Sequence, residues 1–209
     1  MKFIGITQRV DVIQDCRERR DSLDQAWQGV CEKLNAVMIP LANDGTYIDP
    51  LLTRLSLDIV IFSGGNSLSF LCDQNSDIAP ERDLFETKLL DYAIKNNIPV
   101  LGVCRGMQFI NKFFGGKLKR VAEHVATNHS LVPCSEQNVE LPRRVNSYHS
   151  WGIGYNDIAS ELMPLAKDYE DNIEAFIHLD LPILGIMWHP ERHPLGDDLT
   201  FNLIKRYLF

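Results

Sequence analysis

The stretch Ile98-Pro-Val-Leu-Gly-Val-Cys104-Arg-Gly-Met-Gln-Phe-Ile-Asn111 constrains the fold of this chain more than any other. The β-formers Val100 to Val103 lead through Gly102 to a cysteine and Gly106. The helical spacing Met107, Phe109, Ile110, Phe113, Phe114 begins at once. A strand, a sharp turn and a helix are predicted. Glycines two before and two after a nucleophile suit such an elbow, because side chains there would collide as the chain reverses. The turn would lift the Cys104 sulfur off the sheet edge, to the start of the next helix. Unpaired N–H groups and the helix dipole favour a thiolate there. The same spacing also suits a buried packing cysteine, so the remaining sequence must separate the two readings.

That remainder alternates strands with helices. Lys2 to Ile6 reads as a buried strand, and Asp24 to Asn35 as a helix with Ala26, Trp27, Val30 and Leu34 on one face. Val37 to Leu41 is a second strand, Asn43-Asp-Gly45 a turn, Pro50 to Leu55 a short helix and Asp58 to Phe62 a third strand. Leu68 to Ala79 reads as loop, and Pro80 opens a helix to about Lys95 with acids in its first turn. Phe85, Leu89, Tyr92 and Ala93 share its apolar face. The helix after Cys104 ends at Gly115-Gly116.

From Lys117 the pattern changes to short extended pieces: Leu118 to Val121, Ser130 to Pro133, Val139 to Leu141, Arg143 to Tyr148, Ile173 to His178 and Ile183 to Met187. Ile158 to Leu165 reads as loop or a helical turn, and Leu199 to Leu208 as a closing helix. The expected fold is α/β: a mixed, mainly parallel central sheet flanked by helices, with an antiparallel extension. The 209 residues suit one domain spanning 1–209.

In such a sheet ligands bind outside the carboxyl ends of the strands. Ser63-Gly64-Gly65-Asn66 falls on that rim beside Cys104. Its paired glycines suit an anion-binding nest of backbone N–H groups and equally a plain tight turn. Leu184-Gly-Ile-Met-Trp188-His189-Pro190-Glu191 delivers a histidine to the end of an apolar strand, followed by proline and a carboxylate. A general base must be held within reach of its proton, and Glu191 is placed to accept from the other ring nitrogen. Taken alone, the tripeptide also reads as a strand-ending turn.

The net charge of −7 argues against a nucleic-acid partner, because displacing counterions from phosphates needs clustered Lys and Arg. Only Arg17-Glu-Arg-Arg20 and Lys117-Leu-Lys-Arg120 are locally basic, and solvated faces explain them. Met1 to Thr7 holds too short an apolar run for a signal peptide, and no stretch approaches a membrane span. Cysteines at 16, 31, 72, 104 and 134 are odd in number and form no C-x-x-C pair. A cytoplasmic protein without membrane contact is the expectation. His124, His129, His178 and His193 lack ligand spacing with acidic or thiol partners, so neither metal nor cofactor is expected.

Cysteine elbow, Gly-Gly rim loop and strand-terminal His-x-Glu, in that order, resemble the class I glutamine amidotransferase-like superfamily over essentially the whole chain. Gly102-Val-Cys104-Arg105-Gly106-Met107-Gln108 looks most like its γ-glutamyl hydrolase (peptidase C26-like) branch. At the position of Met107 a histidine commonly stands in the ammonia-donating amidotransferases. Val145-Asn146-Ser147-Tyr148-His149-Ser150 resembles the branch's substrate-site segment. The resemblance implies a flavodoxin-like fold and hydrolysis of a γ-glutamyl amide. It assigns Cys104 as nucleophile, His189 as acid/base and Glu191 as its orienter. Backbone N–H groups of Arg105 and of Gly64 or Gly65 would form the oxyanion hole. Gln108, Ser147 and His149 would sit near the γ-glutamyl group, with Asn146 in the same substrate-site segment; Tyr148 and Trp151, which flank His149, suit a rim for the leaving group and equally plain packing.

The Arg105 guanidinium is expected either to support the thiolate or clamp an anionic substrate group, or to sit on the surface at the helix start. Overall likeness implies γ-glutamyl-CDP-amidate as substrate, cut to glutamate and cytidine diphosphoramidate for capsule phosphoramidate synthesis. A γ-glutamyl-aminobutyrate hydrolase shows much the same motifs. A glutaminase that feeds ammonia to a synthase partner would use the same residues. Intact Cys104, His189 and Glu191 speak against a retired binding module.

Overall fold

The computed structural model describes residues 1–46, 48–71, 77–134, 139–192 and 198–209. Its first half runs β1 (Lys2–Thr7), β2 (Arg9–Ile13), β3 (Glu18–Ser22), α1 (Trp27–Lys33), β4 (Ala36–Leu41), α2 (Ile48–Leu55), β5 (Ile59–Phe62), α3 (Pro80–Lys95), β6 (Val100–Val103) and α4 (Arg105–Phe113). The second half runs β7 (Lys119–Arg120), β8 (Val125–Ser130), β9 (Val132–Pro133), β10 (Arg144–Tyr148), β11 (Trp151–Gly154), β12 (Leu162–Lys167), β13 (Asn172–His178), β14 (Ile183–Ile186) and α5 (Asp198–Leu208).

The main sheet has the order β4-β1-β5-β6-β14-β13-β11-β7, with β12 on β13 and β9 on β12. From β4 to β14 every pairing is parallel, and from β13 outward every pairing is antiparallel. The fold is therefore the mixed, mainly parallel α/β sheet that the strand–helix alternation predicts. All four residues of β5, of β6 and of β14 are buried. Strands covered on both faces must be continuously apolar, which is how these three read. One apolar cluster packs α1 and α5 against the sheet, and the other packs α2, α3 and α4.

Several elements depart from expectation. The helix expected over Asp24 to Asn35 is shorter, because the Asp24 carboxylate accepts from the Ala26 N–H (2.9 Å) and holds a turn ahead of Trp27. Ala26 is accordingly exposed. The hairpin β2–β3 was not anticipated: its second strand, Glu-Arg-Arg-Asp-Ser, has no apolar face to announce it. Leu162–Lys167 is a strand on β13 rather than loop, and Trp151–Gly154 is a further unexpected strand. Val139 to Leu141 forms no ladder; Val139 and Leu141 pack instead against the core. In the expected loop, Ser69–Leu71 makes one turn of 3-10 helix, and Cys72 lies outside the described residues. No described helix is long and apolar enough to cross a membrane.

Candidate active site

The carboxyl ends of β5, β6 and β14 are neighbours, with Phe62 opposite Gly102 and Ile186 opposite Val103. Each strand continues into one of the three stretches singled out above. At the end of β6 the Cys104 backbone adopts φ 52° and ψ −105°, a strained conformation for a side-chain-bearing residue. The Cys104 N–H is tied to the Ile186 carbonyl (2.9 Å), and α4 starts at the next residue. Gly106 explains how the elbow fits: a Cβ there would stand 2.0 Å from the Phe62 carbonyl oxygen. The cysteine is buried but for 7% of its surface.

His189 follows β14. Its Nδ1–H donates to Glu191 Oε1 (2.6 Å), both side chains being almost fully buried. Nε2 makes no hydrogen bond of ordinary geometry, yet the Cys104 sulfur is near enough to act on its proton by charge and by a loose side-chain contact. Burial disfavours the imidazolium, but Cys104 and Glu191 together outweigh it and raise the His189 pKa to about 10. Gly64 closes the arrangement, since a Cβ there would meet the imidazole Cε1 at 2.7 Å. Cys104, Gly64, His189 and Glu191 are thus brought together from three separate strand ends.

An ion network lies beneath the Gly-Gly loop. Arg82, fully buried on α3, donates to the carbonyls of Ser63 (2.7 Å), Gly64 (3.0 Å) and Gly65 (2.7 Å) and to Glu86 (2.8 Å). Those bonds hold the carbonyls of the Gly-Gly loop on the α3 side, and the Ser63 N–H donates to the Thr7 hydroxyl (3.1 Å). Burial and the nearby Arg105 pull the Arg82 pKa down to about 10, so it is charged at neutral pH. Burial alone would raise Glu86, but Arg105 and Arg82 hold it below the ordinary carboxylate range. Position was the readable signal, because Arg82 and Glu86 stand one turn apart on the face carrying Leu89, Leu90 and Ala93.

The structure corrects the expectation for the Arg105 side chain. Its guanidinium turns under α3 and pairs with Glu86 and Asp83, so its terminal nitrogens are committed to protein carboxylates. Only the Arg105 backbone N–H remains at the elbow. Much of the expected substrate group is likewise engaged by protein. Asn146 clamps the backbone of His189, accepting from its N–H (2.8 Å) and donating to its carbonyl (2.9 Å). Gln108 Nε2 donates to the Trp151 carbonyl (2.7 Å), and the Ser147 hydroxyl donates to the His124 carbonyl (2.7 Å). Trp151 lies under the Arg120 guanidinium, 4.4 Å from the ring centre. Tyr148 is the exposed member, its ring edge-on to His189 with centroids 5.6 Å apart.

A cleft of about 50 Å³ borders His189, Glu191, Gly64 and Gly65 and is flanked by Arg9 and Arg192. Arg192 stacks on Tyr148 (4.4 Å to the ring centre), and Arg9 pairs with Asp11 (2.7 Å) and Asp77 (3.1 Å). Neither arginine has a sequence motif to mark it. A larger concavity of about 540 Å³, lined by Gly45, Asp49, Lys88 and Tyr92 among others, holds none of these groups. Chemistry rather than size therefore selects the rim cleft.

Sequence spacing predicted no metal ligands, and here too the fold differs. His124, His129 and His149 meet Glu174 in a group, buried but for part of His129, whose donor atoms all lie within 4.8 Å of one another. His124 and His129 flank the start of β8, but His149 and Glu174 come from distant parts of the chain, so no local spacing could announce the group. His178 is apart, its Nδ1 accepting from the N–H groups of Asp180 (3.0 Å) and Leu181 (3.1 Å). His193 lies outside the described residues.

Comparison with known proteins agrees with this architecture. The Peptidase C26 family model matches residues 3–143 and 137–191. The γ-glutamyl-CDP-amidate hydrolase of Campylobacter jejuni is 32% identical over 97% of this chain and 99% of its own length. The glutamine-hydrolyzing GMP synthase subunit of Pyrococcus abyssi is 33% identical over 70% of this chain and 73% of its own. Among solved structures, a glutamine amidotransferase from Thermotoga maritima superposes with a TM-score of 0.67 at 17% identity, covering 99% of this chain and 82% of that one. With the family model spanning nearly all of its length, and the strand-end elbow, Gly-Gly loop and His-x-Glu turn on one rim, the chain belongs to the Peptidase C26 family.

Proposed function

We propose that this chain is a free-standing hydrolase of γ-glutamyl amides that works through a γ-glutamyl thioester. The observation that carries the reading is the strained, buried Cys104 beside an imidazole whose other nitrogen is fixed on Glu191. The Cys104 thiolate attacks the γ-carbonyl carbon, and the carbonyl oxygen becomes an oxyanion facing the N–H groups of Arg105 and of Gly64 or Gly65. His189, protonated at Nε2, gives that proton to the amine as the C–N bond breaks. The neutral ring then takes a proton from water, whose oxygen attacks the thioester and releases glutamate while the thiolate re-forms.

For the leaving group we propose cytidine diphosphoramidate. Likeness to the Campylobacter jejuni hydrolase over 99% of that protein supports this, as does the Arg192 guanidinium beside the cleft. A guanidinium suits a phosphate, which it can hold in a forked geometry, and Arg9 would have to exchange Asp11 and Asp77 to take part. The substrate is a small molecule, with no nucleic acid or membrane engaged. A second reading, a glutaminase serving a synthase partner, is favoured by the likeness to the Pyrococcus abyssi GMP synthase subunit. Glutamate release from γ-glutamyl-CDP-amidate, γ-glutamyl-aminobutyrate and glutamine separates the possibilities. Preference for the nucleotide substrate is expected, and Cys104→Ala should abolish turnover. Preference for free glutamine, with stimulation by a synthase, would establish the second reading.

A further inference from the structure

The histidine–glutamate group takes no part in the reaction just described, although Cys104 lies near enough to Glu174, and His189 near enough to His149, to act on them by charge. His124 immediately precedes β8, His129 lies on β8, His149 in the turn from β10 to β11, and Glu174 on β13. His129 Nε2 stands 3.4 Å from Glu174 Oε2, and His149 Nε2 stands 3.7 Å from Glu174 Oε1. Those separations approach the roughly 3.3 Å edge of a tetrahedron drawn around zinc with bonds of about 2.0 Å.

The hydrogen bonding points the same way. His124 Nδ1, His129 Nε2, His149 Nε2 and both Glu174 oxygens are buried and have no hydrogen-bond partner among the described residues. Buried polar atoms are seldom left so, and here one donor atom from each of the four residues lies within 4.8 Å of the others. Each imidazole is meanwhile held at its opposite nitrogen by an oxygen: His124 by Asp168 Oδ2 (3.2 Å), His149 by the Trp151 carbonyl (2.9 Å) and His129, more loosely, by the Ser130 carbonyl (3.5 Å). An N–H committed outward leaves the inner nitrogen with its lone pair, the arrangement that surrounding oxygens impose on metal-bound histidines. Glu174 itself is fully buried.

We propose that His124 Nδ1, His129 Nε2, His149 Nε2 and a Glu174 oxygen form a closed four-coordinate site for a divalent transition-metal ion, zinc being the best suited. Imidazole with one carboxylate is a donor set for such ions, and four protein donors without an open position make a structural site rather than a catalytic one. Among the described residues, the β8–β10 ribbon shares no ladder with the main sheet. The ion would fasten it to β13. Because β10 also carries Asn146, which grips the His189 backbone, the fastening supports the active-site rim.

Metal-stripped protein titrated with Co²⁺ and, separately, with Zn²⁺ tests the site. Cys104 and His189 offer the competing location, so the titration is repeated in Cys104→Ser. We expect one equivalent of Co²⁺, with the intense d–d bands of a four-coordinate ion and no thiolate-to-metal charge transfer, in both proteins. Zinc should displace it and raise Tm. In His129→Ala, a side chain 16% exposed and so tolerant of truncation, affinity should fall at least tenfold; Glu174→Gln should behave alike. Absence of stoichiometric binding would overturn the proposal, as would binding lost in Cys104→Ser or unchanged in His129→Ala.

Discussion

Replacing Asn146 by alanine should separate holding His189 in place from holding the fold together. The Asn146 amide makes two buried hydrogen bonds, of 2.8 and 2.9 Å, to the backbone N–H and carbonyl of His189. Deleting it strands both groups, and each unsatisfied buried group costs about 1–3 kcal/mol. Water entering the vacated amide space would recover part of this, so a stability loss of about 2 kcal/mol is expected. The catalytic loss should be larger in proportion, because the freed strand end lets the imidazole drift, and displacement by about 1 Å can cost on the order of 100-fold in rate. Urea unfolding gives the first quantity and steady-state glutamate release the second. The fall should appear in kcat with KM little changed, since Asn146 is a positioning residue. A variant destabilised as expected but with kcat within about twofold of the parent would refute the argument, by showing that the imidazole is placed without the clamp.

Three further outcomes follow from the same geometry. Cys104→Gly should be inactive yet about 1 kcal/mol more stable than Cys104→Ala, because glycine relieves the positive φ that alanine retains; denaturation midpoints of the two variants decide it. The pKa of His189, raised to about 10 from an ordinary 6.5, means that its protonation stabilises the folded state fully below about pH 6.5 and that this contribution is lost as pH rises to 10. His189→Gln should therefore flatten the decline in stability over that window. Glu86→Gln removes the carboxylate shared by Arg82 and Arg105 and should cost about 3–5 kcal/mol by leaving buried charge uncompensated, with a matching fall in Tm.

What could be read in advance depended on whether a feature is local. The elbow was legible because strand, glycines and helix are consecutive, and β5, β6 and β14 because burial on both faces demands unbroken apolar runs. The hairpin β2–β3 escaped because a ribbon with one highly charged strand carries no clear alternation. Leu162–Lys167 carries Pro164, and proline inside a run is a poor strand signal; pairing to β13 with a shifted register accommodates it.

For this protein, the sequence by itself determined the strand–helix alternation of the parallel half, from β1 through α1, β4, α2, β5, α3 and β6 to α4, and the three strand-end stretches that meet on one rim, since each is encoded within a few consecutive residues. Tertiary structure decided what the side chains around them do. It turned Arg105 under α3 to Glu86 and Asp83, made Asn146 a clamp on His189, placed Arg9 and Arg192 beside the cleft, and drew His124, His129 and His149 around Glu174. The physical reason is that a buried charge or an unpaired polar atom must find its partner in space, and that partner can lie anywhere along the chain.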